Sequence, residues 1–127
     1  MPKHIITTDQ APAAVGAYSQ AVAAGPFVFI SGQIPLNRQG EMVQGDIVVQ
    51  TVQVMDNLKA ILQAAGLSLA DVVKTTVFLA DMADFAEMNR VYGEFFPENP
   101  PARSAFQVAA LPKNAAVEIE AVAFRKG

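Results

Sequence analysis

Between Gly45 and Pro97 the apolar spacing runs from helical to strand-like and back to helical, and this restricts the chain to helices layered on a sheet. Val48, Val52, Met55, Leu58, Leu62 and Ala65 recur at steps of three and four. Asp46 stands ahead of them as an N-cap, and Gly66 follows as a stop. Val72 to Leu79 is rich in β-branched residues and predicts a strand. Phe85, Met88, Tyr92 and Phe95 form a second helical stripe, capped by Asp81 or Asp84 and ended by Pro97.

The flanks supply strands. His4 to Thr7 is a short apolar piece, and Asp9 to Gly16 reads as a loop. Ala17 to Ala24 and Phe27 to Ile30 make a hairpin about Gly25-Pro26, with the second strand stopping at Ser31-Gly32. Arg103 to Ala110 and Val117 to Arg125 are the last two strands. The order β-β-β-α-β-α-β-β predicts a single α/β (α+β) domain over residues 1–127, a mixed sheet with both helices on one face.

The other face of that sheet is unusual. In the last strand Val117, Ile119, Ala121 and Ala123 share one side, and Glu118, Glu120, Val122 and Phe124 share the other. Neither is plainly a solvated face. Charged residues make up 17% of the chain, against about 25% in an average domain. Both observations predict that further copies of the chain cover the sheet, most simply in a closed cyclic oligomer.

Composition also excludes chemistry. There is no cysteine, so disulfides, thiol catalysis and cysteine-bound metals are out. A single histidine, His4, argues against a zinc site and against a serine triad. No phosphate loop or dinucleotide fingerprint is present, and no cofactor or metal is expected. The formal net charge is −3 with no basic run, which gives nucleic acid little to bind. The N-terminal residues do not read as a signal peptide, and no apolar run is long enough for a membrane span. A cytoplasmic protein is the expectation.

Four places can carry chemistry. Arg103 follows Pro100-Pro101, whose fixed backbone sets where the strand begins. Its planar fork can grip a carboxylate with two hydrogen bonds, though an exposed strand-end arginine or a structural ion pair would look the same. Glu118 and Glu120 point to one side of a strand of Val, Ile, Ala and Phe. Such neighbours raise a carboxyl pKa and suit acid–base work, though a partner for Arg103 or Lys113, or a solvated edge position, fits as well. Ser31 and Gly32, at a strand end, can donate to an oxyanion. Tyr18 follows the Gly16-Ala17 loop and could equally be a packed tyrosine, and Asn89, on a helix whose other face is apolar, could equally be an exposed helix residue.

Four segments carry a family resemblance. They are Gly16-Ala17-Tyr18-Ser19-Gln20-Ala21, Phe29-Ile30-Ser31-Gly32-Gln33-Ile34-Pro35, Asn99-Pro100-Pro101-Ala102-Arg103-Ser104, and Val117-Glu118-Ile119-Glu120-Ala121. Together they resemble the reactive intermediate deaminases, the RidA or YjgF family, over nearly the whole chain. The resemblance implies a chorismate-mutase-like fold and a homotrimer with active sites between subunits. It implies hydrolysis of 2-imino acids and their enamine tautomers, such as 2-aminoacrylate and 2-iminobutanoate, to 2-oxo acids and ammonia. By position, Arg103 would bind the substrate carboxylate and Glu120 would orient or activate water. Tyr18, Ser31, Gly32 and Asn89 would line the cleft. Ala105 stands where many relatives have a cysteine, so thiol chemistry there is unavailable. Other readings are a binding-only sensor or interaction trimer, a chorismate-mutase-like isomerase, and an endoribonuclease or translation inhibitor.

Overall fold

The computed structural model describes residues 2–126. Its elements are β1 (His4–Ile6), β2 (Ala21–Ala24), β3 (Phe27–Gln33), α1 (Ile47–Ala64), β4 (Val72–Leu79), α2 (Phe85–Phe95), β5 (Ala102–Gln107) and β6 (Val117–Phe124). The expected order holds throughout. The six strands form one sheet in the order β1-β2-β3-β6-β4-β5. Only β4 and β5 are parallel, with α2 as their crossover, and β6 inserts antiparallel between β3 and β4.

Local chemistry sets the ends of α1. The Asp46 carboxylate accepts from Val49 N at 3.1 Å. At the other end Gly66 takes φ +77°, and Leu67 N donates to Leu62 O while Gly66 N donates to Gln63 O. This paired closure satisfies carbonyls the helix would leave open, and it needs a residue without a Cβ penalty. The buried stripe differs from the expected one in its first half. Ile47, Thr51, Val54 and Leu58 face the core, whereas Val52 is exposed. Thr51 is a polar residue on the core side, so the apolar pattern alone set the stripe one position off. In α2 the buried residues are Met88, Val91 and Tyr92, and Phe95 is only partly covered. Asp81 caps a short 3-10 turn through Ala83 N, and Asp84 leads into α2 without a side-chain bond.

Both helices cover one face of the sheet. Against them lie Val28, Ile30, Val77, Leu79, Val117, Ile119, Ala121 and Ala123, all buried. The opposite face carries the other parity and is open. There Phe29 pairs with Val122, Thr76 with Glu120, and Phe78 with both Glu118 and Phe106. Phe27 stacks edge-on against Phe124, and Phe78 against Phe106, each pair at 5.3 Å between centroids. Phe29 and Phe106 are 48% and 45% exposed. An exposed apolar patch of this kind marks an interaction surface. No helix among the described residues is long and apolar enough to cross a membrane.

Several strand bounds differ from those expected, and two of the differences matter for the site. β2 begins at Ala21, not Ala17, because Gly16 turns the chain at φ +119° and the next residues bend before pairing starts. β3 does not stop at Ser31-Gly32. It runs on to Gln33 through a bulge between Ile30 and Gln33 in its pairing with β6. Strand β1 ends at Ile6 rather than Thr7, and β5 at Gln107 rather than Ala110.

Candidate active site

The bulge is the centre of the first cluster. Ile30 pairs with Ala121 and Gln33 with Ile119, so Ser31 and Gly32 together face Glu120 across the ladder. An extra residue at this point turns side chains out of register, a device common beside active sites. Gly32 leaves room that Glu118 uses. A Cβ built there would collide with the Glu118 carboxylate. Glu118 is half-buried, whereas Glu120 is exposed. Burial raises the Glu118 carboxyl above its ordinary range, and the Glu120 charge pushes it in the same direction.

Loops close the cluster on one side. Gln20 is buried and holds the N-terminal loop by three bonds: it accepts from Thr8 N at 2.8 Å and donates to Thr8 O and Pro12 O. The Tyr18 hydroxyl accepts from Val15 N at 3.3 Å. The result is a pocket of about 530 Å³ that includes Tyr18, Ser31, Gly32, Lys113, Glu118 and Glu120 in its lining. The expected donor role of the Ser31 hydroxyl changes here. Its Oγ donates to Ser19 O at 2.6 Å, so its hydrogen is committed and its lone pairs remain to accept.

Arg103 lies on the other side of the sheet. It pairs with Thr75 on the helix-covered face, at edge strand β5. Its Nη1 donates to Asn89 Oδ1 at 2.7 Å. Its Cζ lies 4.9 Å from the centre of the Tyr92 ring and 5.4 Å from that of Phe85. A second hollow of about 380 Å³ is lined by Asn89, Tyr92, Gly93, Phe96, Pro101 and Arg103 among others. Ala105 is two residues on, on the same face and partly buried against the core. Among the described residues, ion pairs are confined to Arg90 with Glu87 and Glu94, so Arg103 is not neutralised by a carboxylate.

The expected residues therefore form two clusters. Tyr18, Ser31, Gly32, Glu118 and Glu120 share the open-face pocket. Arg103, Asn89 and Ala105 share the helix face. Within one chain the sheet stands between the guanidinium and the carboxylates. Gln20, part of the first family-like segment but given no role there, is a further part of the first cluster. Tyr92 and Phe85, legible in the sequence only as apolar helix positions, belong to the second. No group of three or more His, Cys, Asp or Glu among the described residues could hold a metal ion.

Comparison with known proteins gives the family. The family described as Endoribonuclease L-PSP matches residues 8–125. A RutC family protein of Pyrococcus horikoshii is 56% identical over 98% of this chain and 99% of its own length. The 2-iminobutanoate/2-iminopropanoate deaminase of Escherichia coli is 49% identical over 95% of this chain and 97% of its own. Among solved structures, Escherichia coli TdcF with bound serine superposes with TM-score 0.93 and 47% identity, covering 97% of this chain and 99% of that one. RidA from an Antarctic Psychrobacter superposes with TM-score 0.92 and 51% identity, covering 95% and 98%. The chain belongs to the endoribonuclease L-PSP family, the YjgF/RidA family that its four segments resemble.

Proposed function

We propose that the protein is a hydrolytic deaminase of reactive 2-imino acids and their enamine tautomers, with each active site assembled from two copies of the chain. The observation that carries the reading is the division just described. A held guanidinium with no carboxylate partner among the described residues lies on one face, and a half-buried carboxyl beside a hydroxyl acceptor lies on the other. A second copy packed on the open aromatic face can bring its Arg103 edge to the first copy's Glu118 pocket. The Escherichia coli relative named as a 2-iminobutanoate/2-iminopropanoate deaminase supports the substrate class.

The chemistry needs little from the protein. A protonated imine is already electrophilic at carbon. Arg103 grips the carboxylate, and Ser31 Oγ accepts a hydrogen bond from the imine nitrogen. Glu118 takes a proton from the attacking water and returns it to the departing amine. Imine plus water gives 2-oxo acid plus ammonia, by positioning and proton transfer alone. We assign the proton to Glu118 rather than to Glu120. Glu118 is the carboxyl packed at Gly32 and half-buried, while Glu120 is exposed and acts on it through charge. Cleavage of RNA, which the family's description raises, has no support from a chain of net charge −3 without a basic run.

The direct test is to generate 2-iminobutanoate from threonine with a dehydratase and follow 2-oxobutanoate release. The protein should accelerate release over the buffer rate, and equal rates would sink the reading. Light scattering at micromolar concentration should find a cyclic oligomer, a trimer in the simplest case. A stable monomer would remove the shared site. Arg103→Lys keeps the charge but loses the two-point grip. It should lower kcat/KM by about 10- to 100-fold, the equivalent of one charged hydrogen bond, and parental kinetics would show that Arg103 is not the anchor.

A further inference from the structure

The geometry points to Tyr92 and Phe85 as positioning residues whose ring faces hold the Arg103 guanidinium in the plane that grips the substrate carboxylate. This rests on the reading of Arg103 as the anion anchor. Phe85, Asn89 and Tyr92 stand at steps of four and three, so one side of α2 presents all three. The two ring centres lie 5.4 Å and 4.9 Å from Arg103 Cζ, within the range in which a cation is drawn to an aromatic face. Asn89 fixes one end of the fork by accepting from Nη1. An arginine without such neighbours samples many rotamers, and a carboxylate would have to order it on binding.

The Tyr92 ring is itself fixed. Its hydroxyl shares a 2.7 Å hydrogen bond with Thr75 Oγ1, and both residues are buried. Thr75 pairs with Arg103 across the parallel β4–β5 ladder, so the strand beside the arginine also anchors the ring beneath it. Burial raises the Tyr92 phenol above its ordinary range, against smaller lowering by the Thr75 hydrogen bond and the Arg103 charge. The ring is therefore a neutral face at physiological pH. Packing keeps the buried ring in place, the hydroxyl adds stability through Thr75, and the ring holds the cation.

Three variants separate this role from plain packing. Phe85→Leu and Tyr92→Leu should raise KM for 2-iminobutanoate by about 3- to 30-fold, the span of a partly desolvated cation–π contact, with kcat within about twofold. Tyr92→Phe keeps the ring and should keep KM. It strands Thr75 and should lower the melting temperature instead. Phe85→Leu, at a half-covered position, guards against loss of fold in Tyr92→Leu. Two readouts do not depend on turnover. The Arg103 Hε resonance should lie upfield in the parent and in Tyr92→Phe, through ring currents, and should move downfield in the leucine variants. Calorimetric affinity for 2-oxobutanoate should follow the same ranking. A folded Phe85→Leu protein with parental KM, affinity and Hε shift would overturn the clamp. So would a Tyr92→Phe protein as impaired in KM as Tyr92→Leu. An upfield Arg103 signal in a parent that does not hydrolyse the imine would overturn the deaminase reading while supporting the clamp.

Discussion

Glu118→Gln should lower turnover of 2-iminobutanoate by roughly 10²–10⁴-fold, the loss typical of a missing acid–base group, while binding of 2-oxobutanoate stays near the parental value. Glutamine fits the space beside Gly32 and keeps hydrogen-bonding capacity, but it cannot exchange a proton at neutral pH. Glu120→Gln should behave differently. Its charge is one of the two causes that hold the Glu118 carboxyl up. Water activation needs the Glu118 carboxylate, so the rate falls as pH drops through its raised pKa. Removing the Glu120 charge lowers that pKa, and the acid limb of kcat/KM should move to lower pH with the plateau little changed. Rate–pH profiles of the three proteins decide the matter. A Glu118→Gln enzyme at parental turnover, or a Glu120→Gln enzyme with the large loss, would reverse the two roles.

Much of this architecture is legible in the residues. The element order, the Asp46 cap and the Gly66 stop follow from local chemistry that acts the same in any context. The two sides of β6 are also legible, because alternation leaves no other arrangement. What was not legible depends on the third dimension. Ser31-Gly32 reads as a strand end because a serine and a glycine are weak strand formers, yet pairing with β6 carries the strand through them as a bulge. The placement of Arg103 and Glu118 on opposite faces depends on β6 inserting between β3 and β4, and no local pattern fixes that insertion. The choice between Glu118 and Glu120 is of the same kind. Spacing makes them equivalent, and only their folded surroundings distinguish them: Glu118 packs at Gly32 and is half-buried, Glu120 is exposed. Tyr92 reads as a core residue, which it is; that its ring also lies under Arg103 depends on how α2 settles over β4 and β5.

Mixing two inactive variants should restore activity, and this test bears most directly on the shared site. Arg103→Ala removes the anchor and leaves the Glu118 pocket whole. Glu118→Gln removes the proton carrier and leaves the anchor whole. Within one chain the sheet separates these groups, so an active site made by a single copy would lack one of them in either protein. In a closed ring each site takes Arg103 from one subunit and Glu118 from its neighbour. When the variants are unfolded together and refolded at equal amounts, a site is intact only if each neighbour happens to supply its unaltered half. Random assembly makes that true of about a quarter of the sites. The refolded mixture should therefore reach about a quarter of the parental rate on 2-iminobutanoate, while each variant refolded alone stays at its own low level. Mixing without unfolding should restore activity only as fast as subunits exchange. A refolded mixture no more active than the mean of its parts would mean that Arg103 and Glu118 do not meet across an interface, and the two-copy site would fall with it.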